Sequence, residues 1–291
     1  MKPRPPAHAR KPARSAKRPS ARSLPRVVVE RHGPLHAEIV VVGRELLRGE
    51  VDDVNARHIA AELTRRGALV HRVTVVDDLD RSIAQAVSES LSRGVHLVVT
   101  AGGLGPAVDD RTIAGISDAL RLPLAHSAPA KEMVEASYRA IESRGGGLTS
   151  AREQMCLLPI GSEALPNVHG VAPGMLARRA GGGTVVCLPG RPAEAKAVLD
   201  EALARLKDLF PLRASASREV EAPTSDESAL RPLLERVSGE YPAVWIKSHP
   251  PARHRRDPAR VTLRSFATNQ KEADALVDGA LRRLLSLAGN R

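Results

Sequence analysis

The stretch from residue 98 to residue 112 joins the end of an apolar strand to a glycine-rich turn and two adjacent carboxylates. The turn contains the glycines Gly102, Gly103 and Gly105. Because glycine has no Cβ, such a loop can adopt positive φ and approach a ligand closely, and its peptide N–H groups can bind phosphate. Asp109 and Asp110 would repel a bare phosphate, so we expect a divalent cation such as Mg²⁺ to bridge these carboxylates and the ligand.

The same stretch also has a purely structural interpretation. The glycines would then form only a tight turn, and either aspartate would cap the helix that begins near Arg111. Asp53 and Asn55 allow the same alternative, since a helical segment follows them, and Glu194 lies in the first turn of a predicted helix. A short glycine motif is weak evidence by itself, so the surrounding elements must decide between the two interpretations.

An alternation of strands and helices positions this stretch. The predicted strands are 37–43, 67–76, 94–99 and 184–188. The predicted helices are one that follows Asn55 and ends near residue 66, one at 83–91, one that begins near residue 111, and one from 192 to about 209. This order implies right-handed crossovers and a parallel sheet, so we predict an α/β fold. In such folds, ligands bind at the carboxyl ends of the strands.

Polar residues follow each of these strands. They are Glu45 with Asp53 and Asn55, Asp78, the loop 102–110, and Pro189, Gly190 and Glu194. Since the carboxyl ends of parallel strands meet at one edge of a sheet, we expect the first three of these clusters, those of Glu45, Asp78 and the loop 102–110, to converge there. Convergence of this kind favours a ligand site over a set of unrelated helix caps.

The remaining segments divide into a connection and a small C-terminal unit. The connection contains a helix at 128–144 closed by Gly145–Gly147, a short helical segment near 152–154 and a glycine/proline loop at 167–175. A change of composition at 211–215 indicates a boundary. Beyond it we predict an α+β unit with strands 218–222, 243–247 and 260–266 and helices 226–238 and 270–287. We interpret its basic loop at 249–257 as a solvated turn.

The charge of the chain is concentrated in its first residues. The formal net charge is +11, but residues 1–29 hold nine Lys and Arg and no Asp or Glu, which leaves +2 for residues 30–291. We expect residues 1–33 to form a disordered basic tail with weak affinity for polyanions. No apolar run is long enough for a membrane span. Cys156 and Cys187 lack metal-site spacing, which favours buried thiols in a reducing, cytoplasmic compartment.

The order of the motifs resembles that of the N-terminal half of the competence/damage-inducible protein A (CinA) family, which has the molybdopterin-binding MoaB/Mog-like fold. The matching motifs are Gly43-x-Glu45-Leu46-Leu47-x-Gly49, Asp53-x-Asn55, Asp78, Gly102-Gly103-x-Gly105-Pro106-x-x-Asp109-Asp110-x-Thr112, Gly170-x-Ala172-Pro173-Gly174 and Leu188-Pro189-Gly190-x-Pro192-x-Glu194. In addition, Lys247-Ser248-His249-Pro250 resembles an element of the family's small KH-like domain. The resemblance covers about residues 36–290.

The resemblance implies three regions in this chain. They are the basic tail at 1–33, a three-layer, parallel-sheet MoaB/Mog-like domain at 34–212, and a small α+β KH-like domain at 213–291. It also implies a stand-alone chain, without the nicotinamide-nucleotide amidase domain of full-length CinA. The Gly-x-x-Gly signature of KH domains is absent from residues 214–291, which argues against RNA recognition in the KH manner.

Several positions depart from the family pattern. Val54, Ala101 and Ala107 stand where the family has threonine, so hydroxyl groups that would bind phosphate are absent. Arg44 replaces a small polar residue, and its guanidinium would either substitute for those hydroxyls or block the pocket. His249 replaces a tyrosine. These departures bear on activity more than on fold.

The activity that the resemblance implies is divalent-metal-dependent hydrolysis of ADP-ribose-type dinucleotide pyrophosphates. Asp109 and Asp110 would hold Mg²⁺, Mn²⁺ or Co²⁺. Asp78 or Glu45 would orient the attacking water, and Arg44 or Arg191 would offset developing charge. The predicted ligand-binding residues are Gly43, Asn55, Thr100, Gly102, Gly103, Gly105, Pro189, Gly190 and Glu194.

Other functions stay open at this point. The pocket would equally suit a module that binds molybdopterin or a nucleotide without turnover. Adenylyl transfer to molybdopterin is less attractive, because the hydroxyls are missing. A regulatory, polyanion-binding role through the tail and the KH-like domain is a third alternative. The expected partners are a nucleotide or pterin small molecule and further copies of the chain in a homo-oligomer, with no membrane.

Overall fold

A computed structural model describes residues 35–141, 147–179, 182–210, 214–222, 224–250 and 258–289. Several predictions lie outside these residues. They are the basic tail at 1–33, the glycines Gly145 and Gly146, most of the basic loop at 249–257, and both domain boundaries, at 33/34 and 212/213. These stay predictions.

Strands and helices alternate through the first part of the chain, as predicted. The strands are β1 (Leu35–Val42), β2 (Ala68–Val76), β3 (Leu97–Ala101), β4 (Leu124–His126), β5 (Leu157–Pro159), β6 (Glu163–Leu165), β7 (Gly174–Arg178), β8 (Thr184–Leu188), β9 (Ala214–Glu221), β10 (Val244–His249) and β11 (Arg260–Ala267). The helices are α1 (Arg44–Leu47), α2 (Val54–Arg65), α3 (Asp80–Ser92), α4 (Thr112–Leu120), α5 (Ala128–Ile141), α6 (Ser150–Gln154), α7 (Pro192–Arg205), α8 (Glu227–Glu240) and α9 (Gln270–Gly289).

The main sheet has six strands in the order β2-β1-β3-β8-β7-β6. The first four are parallel, as predicted, whereas β7 and β6 are antiparallel additions. The prediction that residues 167–175 are entirely loop is wrong at its end, because Gly174 and Met175 begin β7. A Cβ on Gly174 would lie 2.2 Å from Cγ1 of Val198, so this glycine permits close strand–helix packing and does not mark a turn.

Helices cover both faces of this sheet. Alternate residues of β1 point to opposite faces, so Ile39 joins the core beneath α2 and α7, and Val40 joins the core beneath α3, α4 and α5. Central strands that are buried on both faces read as continuous apolar runs, which is why β1, β3 and β8 were recognisable in the sequence. The three-layer α/β fold is thereby confirmed.

The C-terminal unit has its own sheet and its own core. Its strand order is β10-β11-β9, and both pairings are antiparallel. Val261 and Leu263 of β11 are buried against Val237 of α8 and Val277 of α9. This is the small α+β unit that the sequence predicts.

The two cysteines are buried free thiols, as expected. Burial raises the pKa of Cys187 to about 12, and burial is also the main reason why the pKa of Cys156 is raised. Such thiols stay protonated near neutral pH and are poor nucleophiles. As to membranes, the helices within the described ranges include none with the length and apolar character needed to cross a bilayer.

Three histidines meet at the amino-terminal end of the main sheet. The His36 peptide N–H donates to Nδ1 of His96 at 2.9 Å, and Nδ1 of His36 lies 2.6 Å from Nε2 of His71. Burial, followed by the neighbouring His71 and His96, lowers the pKa of His36, and burial lowers that of His96. His36 and His96 therefore bind fewer protons in the folded protein than in the unfolded chain just below the ordinary histidine pKa of 6.5.

We expect the melting temperature to fall as the pH is lowered from about 7.5 to 5.5. Below the ordinary histidine pKa the unfolded chain takes up protons that His36 and His96 do not take up in the folded protein, so this part of the stability is present above that pKa and is lost on acidification. A His36→Gln variant should show a flatter dependence, whereas His126→Gln, at an exposed position, should not. Thermal melts at several pH values would test this, and parallel curves for all three proteins would contradict it.

Candidate functional site

A cleft of about 690 Å³ lies at the carboxyl ends of β1, β3 and β8. Its walls come from the segments that follow β1, β2, β3 and β8 and from the loop before β7. The polar and glycine residues that line it include Glu45, Asp78, Gly103, Gly105, Asp109, Asp110, His169, Gly170, Gly190, Arg191 and Glu194, together with Pro189. Parallel strands direct these separate segments to one edge of the sheet, and this is the edge where α/β folds bind ligands.

Asn55 lines a smaller recess of about 220 Å³, which Glu45 and Gly190 also line. Its Nδ2 donates to the carbonyl oxygen of Gly190 at 2.7 Å, so this side chain holds the loop after β8 in place. Asp53 caps α2 by accepting the Ala56 N–H at 2.9 Å, which confirms the structural interpretation for that residue.

Four of the predicted ligand-binding residues do not line the cleft, namely Asn55, which lines the recess, and Thr100, Gly102 and Gly43. Thr100 is fully buried within β3. The peptide N–H of Gly102 donates to the carbonyl oxygen of Leu188 at 3.0 Å, so the predicted use of this N–H for phosphate is wrong. Gly43 also lies outside the lining, and its N–H donates to Val76. The hydrogen bonds of Gly43 and Gly102 connect neighbouring strand ends beside the site.

The glycines of the loop after β3 accommodate the chain's own atoms. Gly102 has a φ of 108°, and a Cβ there would lie 2.2 Å from the Val42 carbonyl oxygen. Gly103 has a φ of 66°, and its Cβ would lie 2.5 Å from Oγ1 of Thr112. Glycine is therefore needed at these two positions because of internal packing. The sequence predicts a different reason, namely close approach of a ligand. The peptide N–H groups of Gly103 and Gly105 make no hydrogen bond to any described residue and remain available.

Asp110 latches this loop and does not cap a helix. Its Oδ2 accepts the Ala107 N–H at 2.8 Å, and Gln154 Nε2 donates to its carbonyl oxygen at 2.9 Å. The predicted capping of α4 by an aspartate is wrong, since Arg111 occupies the N-cap position and makes no side-chain capping bond. Thr112 completes the latch, because its hydroxyl donates to the Gly102 carbonyl oxygen at 2.7 Å.

Arg44 neither fills the cleft nor replaces the missing hydroxyls. Its Nε donates to Oδ1 of Asp77 at 2.7 Å, and its peptide N–H donates to Oδ2 of Asp78 at 2.7 Å. The hydrogen bond to Asp77 raises the pKa of Arg44, and the same bond lowers the pKa of Asp77. Asp77 lies outside the predicted set, although it is adjacent to the predicted Asp78.

Glu194 is held firmly in the wall of the cleft. Asn167 Nδ2 donates to its Oε2 at 2.8 Å, and Arg191 Nη1 lies 3.4 Å from its Oε1. A Cβ on Gly170 would lie 2.1 Å from Oε2 of Glu194, so the glycine leaves room for the carboxylate. The glycine/proline loop at 167–175 thus carries positioning residues to which the sequence assigned no role. Of these residues, Gly170 belongs to a motif that matches the family pattern, whereas Asn167 does not.

The charge of the cleft is strongly acidic. Five carboxylates line it, against the guanidinium of Arg191 and the ring of His169. Two of the five, Glu45 and Asp109, make no hydrogen bond or ion pair with the described residues. An anion would enter this cleft only with a compensating cation.

The donor set fits Mg²⁺ only when a ligand contributes oxygens. Among the described residues, no group of three or more His, Cys, Asp or Glu side chains is arranged as a metal site. Mg²⁺ is commonly held by one or two carboxylates together with substrate phosphates, and Asp109 with the second oxygen of Asp110 offers that number of ligands.

An apolar pocket of about 310 Å³ lies on the other side of the glycine loop. Leu104, Ile113, Met155 and Leu158 contribute to its walls, and Gly103, Gly105 and Asp110 line both this pocket and the cleft. The sequence did not reveal this pocket, since its wall depends on β4 and β5, two strands of three residues each.

Comparison with known proteins gives a consistent result. Residues 38–208 match the family described as a probable molybdopterin binding domain. A protein of Caldivirga maquilingensis is 36% identical over 256 residues, which cover 87% of this chain and 97% of that relative. A protein of Pyrococcus horikoshii is 38% identical over 219 residues, or 74% of this chain and 84% of the relative. The crystal structure of CinA from Thermoplasma acidophilum, of unknown function, matches with a TM-score of 0.55 and 34% identity, covering 60% of this chain and 98% of that one.

Proposed function

The chain belongs to the family of probable molybdopterin-binding domains, in its CinA-like branch, and from this premise we propose that its cleft is a metal-dependent pyrophosphatase site. The substrates would be dinucleotide pyrophosphates of the ADP-ribose type. The observation that carries the proposal is the acidic cleft at the carboxyl ends of the strands, in which Glu45 and Asp109 make no bond to described residues. A pterin or nucleotide that carries phosphate would need a divalent cation to bind there.

Different residues of the chain would bind the cation and the phosphate oxygens in such a reaction. Asp109 and Asp110 would hold the cation, and when bound it would neutralise the pyrophosphate and make the phosphorus a better electrophile. The peptide N–H groups of Gly103 and Gly105 would bind phosphate oxygens. Positioning and electrostatic stabilisation supply most of the rate enhancement in phosphoryl transfer, and residues on rigid strand ends suit that task.

Glu45 is the better candidate for orienting the attacking water. Asp78, the other predicted residue, already accepts the Arg44 N–H at its Oδ2. Glu45 has no such bond among the described residues and lines both the cleft and the recess beside it. Arg191, with a side chain that is 83% exposed, would offset charge on the leaving phosphate.

A second candidate function is binding of a pterin or nucleotide without turnover. It is favoured by the absence of a guanidinium or lysine aimed at the cleft other than Arg191, within the residues described, since Arg44 is bound to Asp77. Phosphoryl-transfer sites usually stabilise the transition state with several positive charges. With a single arginine, the cation would have to supply more of that stabilisation.

Incubation of the full chain with ADP-ribose, FAD or NADH would distinguish the two functions. The protein would first be treated with a chelator and then supplied with Mg²⁺, Mn²⁺ or Co²⁺, and AMP would be quantified. We expect AMP release only when metal is restored. Thermal stabilisation by a nucleotide or pterin without AMP release would support the binding function instead. If the protein shows neither AMP release nor thermal stabilisation, the cleft serves neither function.

A further inference from the structure

The sheet of the C-terminal unit has a second face, opposite α8 and α9. Residues of β10 and β11 alternate, so Val244 and Leu263 point into the core and their neighbours point away from it. The outward-pointing residues at one end of this sheet are Trp245, Lys247, Arg264, Phe266, Ser215 and Ser217, and we call this surface the tryptophan face.

Strand register places these side chains side by side. Trp245 pairs with Arg264, and Arg264 pairs in turn with Ser217, so the three form one row across the sheet. Lys247 lies two residues beyond Trp245 and therefore on the same side of the strand. Side chains that face each other in an antiparallel pair have Cβ atoms about 5 Å apart, so an aromatic ring and a guanidinium are neighbours here.

The exposure of Trp245 has no explanation in the packing of the unit. It is the only tryptophan of the chain, in a composition with only 2% aromatic residues, and it remains 52% exposed. Val244 and Ile246, its neighbours in β10, supply the contacts that hold the strand on the core. A large aromatic ring that is about half exposed to solvent is available for stacking with a planar group of a ligand.

The positive charges of this face are not neutralised locally. Lys247 and Arg264 make no ion pair with any described residue, whereas Arg260, towards the other end of the sheet, binds Glu219 at 2.9 Å. Of the acidic residues of β9, Glu219 lies in one row with Thr262 and Lys247 but is bound to Arg260, and Glu221 lies in the next row, with Arg260 and His249. The cations beside Trp245 therefore attract anions, and the aromatic ring beside them offers a stacking surface.

A groove of about 430 Å³ continues this surface towards α2. One wall is formed by Ala60, Ala61, Thr64 and Arg65 of α2, and the other by Ser215, Ser217, Arg264 and Phe266 of the sheet. The groove thus contains a second aromatic ring, that of Phe266, and the guanidinium of Arg65, which is bound to Glu62 of the same helix.

We propose that the tryptophan face and its groove bind single-stranded nucleic acid. Bases stack on Trp245 and Phe266, and Lys247 and Arg264 hold the phosphates between them. Aromatic side chains along a positively charged groove bind single strands with little sequence preference, because every base has a flat face. This mode does not need the Gly-x-x-Gly loop that the unit lacks, and it is independent of the cleft and its proposed activity.

The fluorescence of Trp245 allows a direct test, because it is the only tryptophan. The full chain would be titrated with ten-nucleotide dT, ten-nucleotide rU and inorganic polyphosphate. The basic tail attracts all three polyanions, but only the two with bases can stack on the ring. We expect dT, rU or both to quench the emission, and polyphosphate to leave it unchanged. The comparison of dT with rU shows whether DNA or RNA is preferred.

Variants test the same idea by the anisotropy of a labelled dT oligonucleotide. Trp245→Ala should weaken binding about 5- to 150-fold, the usual range for loss of one stacked base, and Trp245→Phe should restore most of it. Arg264→Gln should weaken binding and reduce its salt dependence by about one unit of log–log slope. Arg231→Gln is the matched control, since Arg231 lies on α8 and binds Glu235. Release of AMP should be unchanged in all four.

Three results would overturn the proposal. One is equal affinity of Trp245→Ala and the parent, which would assign all binding to the tail. Another is quenching by polyphosphate as strong as by the oligonucleotides. The third is a change of emission with protein concentration alone, which would mean that a second copy of the chain covers this face.

Discussion

An Asp109→Asn variant is expected to lose about 100-fold or more of its metal-dependent release of AMP from ADP-ribose, without loss of thermal stability. Asp109 is exposed and makes no hydrogen bond or ion pair with the described residues, so the fold does not depend on its charge. Removing one carboxylate ligand weakens cation binding, and a bound cation contributes several kcal/mol to transition states of this kind. A loss of 100-fold corresponds to about 2.7 kcal/mol.

Asp110 requires a more careful substitution. Its Oδ2 accepts the Ala107 N–H, so Asp110→Ala would remove both a metal ligand and the latch of the loop. Asp110→Asn keeps an acceptor oxygen and removes only the charge. It should lose activity to a similar extent while its melting temperature stays close to that of the parent, and Asp110→Ala should lower both.

The control for these variants is Asp118→Asn, which removes an exposed carboxylate from α4, outside the cleft. It should keep full activity. Activity that is unchanged in Asp109→Asn would remove this carboxylate from the mechanism. Loss of activity in Asp118→Asn to the same extent would mean that net charge, and not the cleft, determines turnover.

The parallel strands could be predicted because their sequences satisfy one strong requirement. β1, β3 and β8 are buried on both faces, so nearly every residue in them is apolar and many are β-branched. The short strands were missed for the opposite reason. β4, β5 and β6 have three residues each, too few for a periodic pattern, and β7 begins with a glycine that resembles a turn.

The residues that approach the cleft could also be predicted, but the bonds between them could not. Strand order places Glu45, Asp78 and the glycine loop at one edge, and this follows from the alternation of elements alone. The hydrogen bond from Asn55 to Gly190 spans 135 residues, and that from Arg44 to Asp77 spans 33. Such partners depend on the positions of loops in space. An aspartate before a helix also has the same sequence signal whether it caps the helix or latches the loop.

The second large effect is expected from Arg93→Met, which should destabilise the fold by about 3–5 kcal/mol. Arg93 donates to both oxygens of Glu38, through Nε at 2.8 Å and Nη2 at 2.6 Å, and Ser90 donates to Oε2 at 2.7 Å. The side chains of Arg93 and Glu38 are only 7% and 2% exposed. Without its partner the carboxylate would stay buried and uncompensated. Domains of this kind have about 5–15 kcal/mol in total, so urea unfolding would detect the loss readily.

The pH dependence of this effect distinguishes a buried charge from lost packing. Burial by itself raises the pKa of Glu38, but the hydrogen bonds from Arg93 and Ser90 outweigh it, so the pKa lies below its ordinary value of 4.5. In the parent, the stability from this carboxylate is present above pH 4.5 and is lost as the pH falls through the lowered pKa. In Arg93→Met burial dominates and raises that pKa, so the difference between the two proteins should shrink on acidification.

A double variant, Glu38→Leu with Arg93→Met, separates the effect of the buried charge from that of packing. An apolar pair of similar volume leaves no charge to solvate, so it should recover most of the stability that Arg93→Met loses, and the remaining difference from the parent should not depend on pH. If the double variant is as unstable as the single one at every pH, packing of the arginine stem is what matters. Recovery would instead show that each charge of the ion pair is needed mainly to compensate the other, because both are buried.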